Sequence, residues 1–316
     1  MKWCTIVIVN YKKWDETLDC IRSVFGSGWP YFKIVVVDNH SQNNSLEHLM
    51  KALRDRPVRK QAADYDTLPV LMELPVFAAI KDAASLPDLV LLPNDRNAGF
   101  AGGNNIVIKK LLPADVYIWL LNPDMTVEKN TLQELVRMAE HSPGAVIGAV
   151  HRSFEDPARV ILYGGARVNF WSGNSGFIKK PGDIRKIGYV SGGSLFADAA
   201  VFRSVGLLPE DYFLYWEETD WCYKARKKGI PMLVCETAVC YDKRSTTIGN
   251  GFLADYFYTR NGLLFLKRFK KGFLPSALLM VLFRTAKKVA LGQGARARGV
   301  LRGTFDFLTG RRYENK

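Results

Sequence analysis

Tyr117-Ile-Trp-Leu-Leu-Asn-Pro-Asp124 is the stretch that decides the fold. Ile118 to Leu121 is an unbroken apolar run, the pattern of a strand covered on both faces, as in a parallel sheet. Pro123 has no N–H to give to a ladder, so the strand stops there. Asp124 then stands just past the carboxyl end of a central strand, with Asn122 beside it. Open α/β sheets bind ligands at that edge. A carboxylate with an amide oxygen near it suits a hard divalent cation carrying phosphate oxygens. The same residues also make an ordinary turn into a helix from Thr131, and this stretch alone favours that plainer reading.

Working back toward the start, Trp3 to Val9 is β-branched and apolar, a buried first strand. Asp15 to Phe25 carries Leu18, Ile21, Val24 and Phe25 at helical spacing. Lys33 to Val37 is a second strand, Leu46 to Leu53 a helix, and Leu89 to Leu92 a short third strand. Strand and helix in alternation mean parallel βαβ units with right-handed crossovers. Asp38 ends the second strand, where a carboxylate can accept from a ribose hydroxyl or a base N–H; Asp38, Asn39 and Ser41 would equally suit an Asx-turn or helix cap. Residues 54–86 read as an insertion of open structure. Asn97-Ala-Gly-Phe-Ala-Gly-Gly-Asn-Asn105 follows, before a helix from Ile106 to Leu112. Its glycines permit positive φ, and a loop of this kind can offer N–H groups to phosphate or sugar oxygens, or be no more than a tight turn.

Beyond Asp124 come a helix over Thr131 to His141, a strand over Ala145 to Val150, and hairpins within Val160 to Lys180. The parallel pattern breaks down here, so a mixed sheet is expected. Tyr189-Val-Ser-Gly-Gly-Ser-Leu-Phe196 reads as one strand whose Gly192 and Gly193 let a ligand press on the backbone. In Phe213-Leu-Tyr-Trp-Glu-Glu-Thr-Asp-Trp-Cys-Tyr-Lys-Ala-Arg226, Glu217 and Glu218 start a helix, where its dipole favours negative charge. A carboxylate set against Trp216 and Trp221 has its pKa raised, which suits a general base; acidic first-turn residues that merely stabilise the helix are the plainer account. After a strand from Ile230 to Cys240, the loop 241–249 offers Asp242 as a metal ligand, and Lys243 and Arg244 as phosphate holders.

The chain carries 44 Lys and Arg against 31 Asp and Glu, a net +13 that points to an anionic partner. No nucleic-acid motif is visible, which leaves a nucleotide or an acidic membrane surface. Five Cys without paired spacing read as reduced, buried thiols of a cytosolic protein rather than a metal-cysteine site. Thr5 to Val9 is too short for a signal peptide, and no run reaches the ~20 apolar residues of a membrane span. From Arg260 onward basic residues alternate with Leu and Phe, the pattern of amphipathic helices that lie on an anionic membrane, or else of helices that pack on the main domain and leave a basic face in water; the membrane reading is favoured.

In order and spacing, these motifs resemble family 2 glycosyltransferases of the GT-A fold, and among them rhamnosyltransferase-like members that build bacterial surface polysaccharides. The residues are Ile6-Val-Ile-Val-Asn-Tyr11, Val35-Val-Val-Asp-Asn-His-Ser41, Asn97-Ala-Gly-Phe-Ala-Gly-Gly-Asn104, Leu121-Asn-Pro-Asp124, Gly192-Gly193, Trp216-Glu-Glu-Thr-Asp-Trp221 and Tyr258-Thr-Arg-Asn261, spread over residues 3–265. The resemblance implies a GT-A domain over 1–260, with a nucleotide-sugar half (1–125), an acceptor half (126–260) and a basic helical region (261–316). It implies inversion, a dTDP- or UDP-sugar donor, a lipid-linked or growing glycan as acceptor, and Mg²⁺ or Mn²⁺. Asp124, with Asp242, would hold the metal. Val9, Tyr11, Asp38, Asn97, Gly99, Asn104 and Asn122 would hold the nucleotide sugar. Glu218 would be the base, supported by Glu217 and Asp220, with Gly192, Gly193 and Trp216 on the acceptor side. Such an enzyme would sit on the inner face of the cell membrane. Two positions depart from the family's usual pattern: Glu218 where Asp is common, and Asp242 where His is common. The alternative is a non-catalytic membrane scaffold that binds a nucleotide sugar.

Overall fold

The structure, a computed structural model, describes residues 1–61, 63–80, 82–243, 251–311 and 313. Its first half runs β1 (Cys4–Asn10), α1 (Trp14–Phe25), β2 (Phe32–Asp38), α2 (Ser45–Asp55), β3 (Val70–Leu71), α3 (Leu74–Ala79), β4 (Leu89–Pro93), α4 (Gly99–Leu111) and β5 (Tyr117–Leu121). Next come β6 (Met125–Val127), α5 (Thr131–His141), β7 (Val146–Ser153), β8 (Val160–Tyr163), β9 (Gly165–Asn169), β10 (Asn174–Phe177), β11 (Tyr189–Val190) and β12 (Ser194–Asp198). The chain ends with α6 (Ala199–Val205), α7 (Glu217–Lys227), β13 (Met232–Asp242), α8 (Phe252–Phe269), α9 (Leu274–Ala290) and α10 (Gly294–Thr309).

The main sheet has the order β3-β4-β2-β1-β5-β12-β7-β13-β6, with β8 on β7. The strands β3, β4, β2, β1 and β5 are parallel. Strand β12 enters antiparallel between β5 and β7, and β13 is again parallel to β7. The sheet is therefore mixed and mainly parallel, as the break in the sequence pattern predicts.

Both faces of the sheet are covered, which is why its strands read as continuous apolar runs. Ile6 and Ile8 of β1, with Trp119 and Leu121 of β5, pack under α1, α2 and α5. Val7, Ile118 and Leu120 point the other way, into a layer built on α4, α6 and α7. The open 54–86 segment supplies a two-residue edge strand, the short α3, a 3-10 turn at Ala83–Ser85 and a bridge between Val58 and Thr67.

Two elements differ from the sequence reading. Helix α4 starts at Gly99, seven residues before the expected Ile106, so the glycine-rich stretch is mostly helix. A Cβ on Gly103 would stand 2.8 Å from Val9 Cγ1: this glycine lets α4 lie close on β1, and that packing outweighs glycine's poor helix propensity. The single strand read over 189–196 is two. Strand β11 joins a small sheet with β9 and β10, and the chain bends through Ser191 to Gly193 before β12 enters the main sheet.

Helix α8 runs unbroken through residue 260, where the sequence reading puts a boundary. Helix α10 crosses it through Gly299 and Gly303, four residues apart on one face. A Cβ at either would overlap a carbonyl oxygen of α8, Phe252 or Tyr256. Gly303→Val should therefore push the helices apart and cost roughly 1–3 kcal/mol, as overpacking does. Calorimetry should show a melting temperature a few degrees lower.

Candidate active site

Parallel strands bring their carboxyl ends to one edge of the sheet, and the candidate residues gather there. The loop after β1 and the loop after β2 are welded together. Asn10 Nδ2 donates to Asp38 Oδ1 (2.6 Å), and Ser41 donates to both Asp38 oxygens through Oγ and N. Asp38 is buried, so its carboxylate is spent largely on this Asx-type turn, one of the two readings its sequence allows. Lys12, His40, Gln42 and Asn44 all have positive φ in these loops, a concentration of backbone strain at the ligand edge. Val9 and Tyr11 are half-buried at the same edge.

Asn39, which the sequence offers only as a turn or cap residue, does more. Its Nδ2 donates to Asn97 Oδ1 and Gly99 O, while its Oδ1 accepts from Asn94 and from the Ala98 N–H. One buried amide thus fixes the start of α4 to the end of β2. Asn97 is occupied in the same network, because its Oδ1 also accepts from the Gly99 N–H (3.0 Å). Asn104 is buried and donates to Phe100 O within its own helix, so it lines no open face.

The turn after β5 is tight: the Met125 N–H donates to Asn122 O, and the Asn122 N–H donates to Gly193 O (3.0 Å). Asn122 and Asp124 are half-buried. Asp242 of β13 sits opposite Met125, and the Lys243 N–H donates to Asp124 O (3.0 Å). The backbone thus brings Asp124, in the turn after β5, and Asp242, at the end of β13, to one place. Among the described residues no three His, Cys, Asp or Glu converge, so a pair of carboxylates is what this edge offers. That donor set fits Mg²⁺ or Mn²⁺, since Mg²⁺ is commonly held by one or two carboxylates with phosphate oxygens completing its shell. The Lys243 ammonium, read as a phosphate holder, is paired with Asp19 at 2.5 Å. Arg244 lies outside the described residues.

Gly192 and Gly193 connect this turn to the acids. A Cβ on Gly193 would press on His151 and Met125 at 3.0 Å. One on Gly192 would meet the Phe100 ring at 3.2 Å and Glu218 Cγ at 3.5 Å. A side chain at either glycine would crowd these walls, so their neighbours would have to give way. His151 beneath it is fully buried, and burial lowers its pKa to about 4, so it is neutral at physiological pH.

Glu217 and Glu218 open α7. Burial is the main influence on Glu218 and pushes its carboxyl up to about 7, although the N–H groups of Glu218, Thr219 and Gly192 face it and pull downward. Glu217 is almost wholly buried; burial first, then the charge of Glu218, drives its carboxyl well above the usual range. Of the pair, Glu218 is the group able to exchange a proton near neutrality.

Asp220 and Trp216 stand elsewhere than the sequence suggested. Asp220 is fully buried and faces away, accepting from Tyr212 Oη (2.9 Å) and Arg268 (2.6 Å) and pairing with Lys224 (2.7 Å). It ties α7 to α8 rather than supporting the base directly. The Trp216 ring is 3% exposed and packs on Tyr258 and Phe265, with Nε1 donating to Tyr258 O; it forms no open acceptor wall. Trp221 stacks on Phe202 and is also remote from solvent. The aromatic ring that does reach solvent in this turn is Tyr215, 38% exposed.

Comparison with known proteins bears on the family and the fold. The sequence model described as Glycosyl transferase family 2 matches residues 77–206, from α3 to α6. A relative from Haloferax volcanii, the low-salt glycan biosynthesis hexosyltransferase Agl10, is 22% identical; the match takes in 73% of this chain and 64% of that protein. Among solved structures, the mannosyltransferase PcManGT from Pyrobaculum calidifontis, in complex with GDP-Man and Mn²⁺, superposes with a TM-score of 0.57 at 12% identity, over 96% of this chain and 86% of that one. GalNAc-T7 with UDP, GalNAc and Mn²⁺ gives a TM-score of 0.56 at 15% identity, over 98% and 58%. At such identities the solved structures establish a shared GT-A-type fold.

The raised carboxyl of Glu218 has a signed consequence for stability. Its folded pKa lies above the ordinary glutamate value, so the folded state holds the proton more tightly between roughly pH 4.5 and 7. This stabilising contribution is complete below that window and is lost as pH rises through about 7. Glu218→Gln should therefore melt higher than the parent at pH 8, with the gap closing toward pH 5 in a pH series of thermal melts.

Proposed function

This chain carries a family 2 glycosyltransferase domain on a GT-A fold, and from that premise we propose that it is an inverting, metal-dependent hexosyltransferase. It moves a sugar such as rhamnose from a dTDP- or UDP-sugar to a hydroxyl of a lipid-linked or growing glycan. The observation that carries this reading is the unbroken path from the Asp124 turn through Gly193 and Gly192 to Glu218. It sets a carboxylate pair for the donor diphosphate on one side of a glycine bend and a carboxyl of neutral pKa on the other.

Asp124 and Asp242 are the residues that would hold Mg²⁺ or Mn²⁺, which when bound offsets charge on the leaving nucleoside diphosphate. Tyr11 and Val9 border the base, and Asn122 the sugar nucleotide. Glu218 as carboxylate takes the proton from the acceptor hydroxyl. That oxygen attacks the anomeric carbon on the face opposite the nucleotide, and the bond to the diphosphate breaks with inversion. Base catalysis of this kind contributes about 10²–10⁴-fold.

A panel of sugar nucleotides, tested by thermal shift with and without Mn²⁺, addresses the donor. One dTDP- or UDP-sugar should raise the melting temperature, more so with metal, and the gain should vanish in Asp124→Ala. Glu218→Gln should keep the shift and lose nearly all turnover. A panel without any shift would overturn this reading in favour of the scaffold.

The C-terminal helices supply a second part of the proposal, contact with an anionic membrane surface. No helix among the described residues is long and apolar enough to cross a membrane. Helix α9 nevertheless exposes Leu279, Met280, Leu282 and Phe283, and α10 exposes Leu301, Phe305 and Leu308. The one acid among the described residues of this region beyond α8's first turn, Asp306, is not free to repel a membrane: it is buried and bonded to Arg302 and Tyr256. Exposed Leu and Phe with a surplus of Lys and Arg suit the headgroup layer. Vesicles containing anionic lipid should sediment the protein, neutral vesicles much less, and Leu282→Glu with Phe283→Glu should abolish the binding.

A further inference from the structure

The motif Tyr258-Thr-Arg-Asn261 has no part in the chemistry above, yet its last residue is fully buried. Asn261 Nδ2 donates to three carbonyls of one turn: Tyr212 O (2.8 Å), Leu214 O (2.7 Å) and Tyr215 O (3.1 Å). Its Oδ1 is held in turn by Arg260, which also donates to Asp211 O. The turn it grips leads directly into Glu217.

That turn is backbone of an uncommon kind. Phe213, Tyr215 and Trp216 have φ of 67°, 64° and 79°, in the left-handed region that bulky L residues avoid. Such a conformation persists only where its surroundings over-determine it. Here the constraints come from several sides. Phe213 O accepts from the Phe100 N–H, and the Phe213 ring stacks on Phe257 of α8 and on Tyr313. Gly99 presses so closely on Phe213 O that any Cβ there would overlap it. Trp216 Nε1 is held by Tyr258 O, and Gly262 gives its ring room. Among the described residues, Asn261 is the one side chain that binds several carbonyls of the turn at once.

We infer that Asn261 is a positioning residue: it holds the 212–216 turn in its left-handed form and so aims Glu218 at the glycine bend of Gly192. The inference rests on Glu218 as the base, and Asn261 acts only through the turn. An amide suits the task, because two donor hydrogens on one planar group can be shared among three converging carbonyls, which neither a carboxylate nor an aliphatic side chain can match.

The test is turnover, with donor affinity measured separately by calorimetry, for Asn261→Ala, Asn261→Ser, and Asn261→Ala combined with Tyr215→Asn. A misdirected base should lower kcat of Asn261→Ala by roughly 10–100-fold while donor Kd stays within about twofold. Ser, with a single donor, should fall between. Asn tolerates the left-handed region better than Tyr, so Tyr215→Asn should return part of the lost kcat. The inference is overturned if Asn261→Ala keeps kcat within about twofold, or if kcat and donor affinity fall together without recovery in the double variant. Should the Ala variant not fold, Asn261→Ser decides by the same split. Failure of the base reading is separate: Glu218→Gln would then keep its turnover.

Discussion

Two neighbouring carboxyl groups held out of water set the terms for this structure. Glu217 and Glu218 are adjacent in sequence; Glu217 is buried and Glu218 half-buried, burial raises both carboxyls, and the charge of Glu218 makes ionisation of Glu217 harder still. Burying two charged carboxylates side by side is unfavourable enough that at least one keeps its proton near neutrality. The beginning of α7 moderates the problem, because its free N–H groups face the acids. The balance leaves Glu218 near 7 and Glu217 well above the usual carboxylate range, so Glu218 is the one able to take up and give back a proton near neutrality. Nothing of this sort is needed to stabilise a helix; an exposed Glu at the first turn would do that at no desolvation cost.

The sheet explains how this pair meets the donor end. A wholly parallel sheet would put the acids' supporting strand beyond a further crossover. Instead β12 runs antiparallel beside β5, entering through the Gly192–Gly193 bend at the same edge where β5 finishes. That bend touches the Asp124 turn by a backbone bond and the Glu218 stem by contact. The topological break is therefore what brings a helix start from the second half against a strand end from the first.

Much of this was legible in the sequence. The apolar runs ending at Asn10, Asp38 and Leu121 gave the parallel half, because strands buried on both faces leave no polar alternation to misread. The paired glutamates after Trp216 marked the second half of the site. What escaped was whatever depended on partners distant in sequence. The glycines of α4 looked like a ligand loop, since their contact with Val9 lies some 94 residues away in the chain, from 9 to 103. Trp216 looked like an acceptor wall, and Asp220 like a helper of the base, because neither residue announces that α8 covers it. Asn39 and Asn261 were hidden for the same reason: an asparagine's role lies in which carbonyls its amide meets, and only the fold decides that.

The C-terminal helices are consequently more than a basic appendage. Helix α8 grips the acid-bearing turn through Asn261 and Tyr258, and α7 through the Arg268 bridge to Asp220 and Asp211. The next layer fixes α8: buried Asp255 draws Lys288 of α9 and Arg296 of α10 onto it, and Asp306 bonds back to Tyr256. A buried carboxylate with two cations is a poor source of net stability, yet it specifies geometry, because leaving any member unpaired is costly. The route from the outer helices to Glu218 thus runs through directional contacts at each step. The same helices turn unpaired Leu and Phe outward.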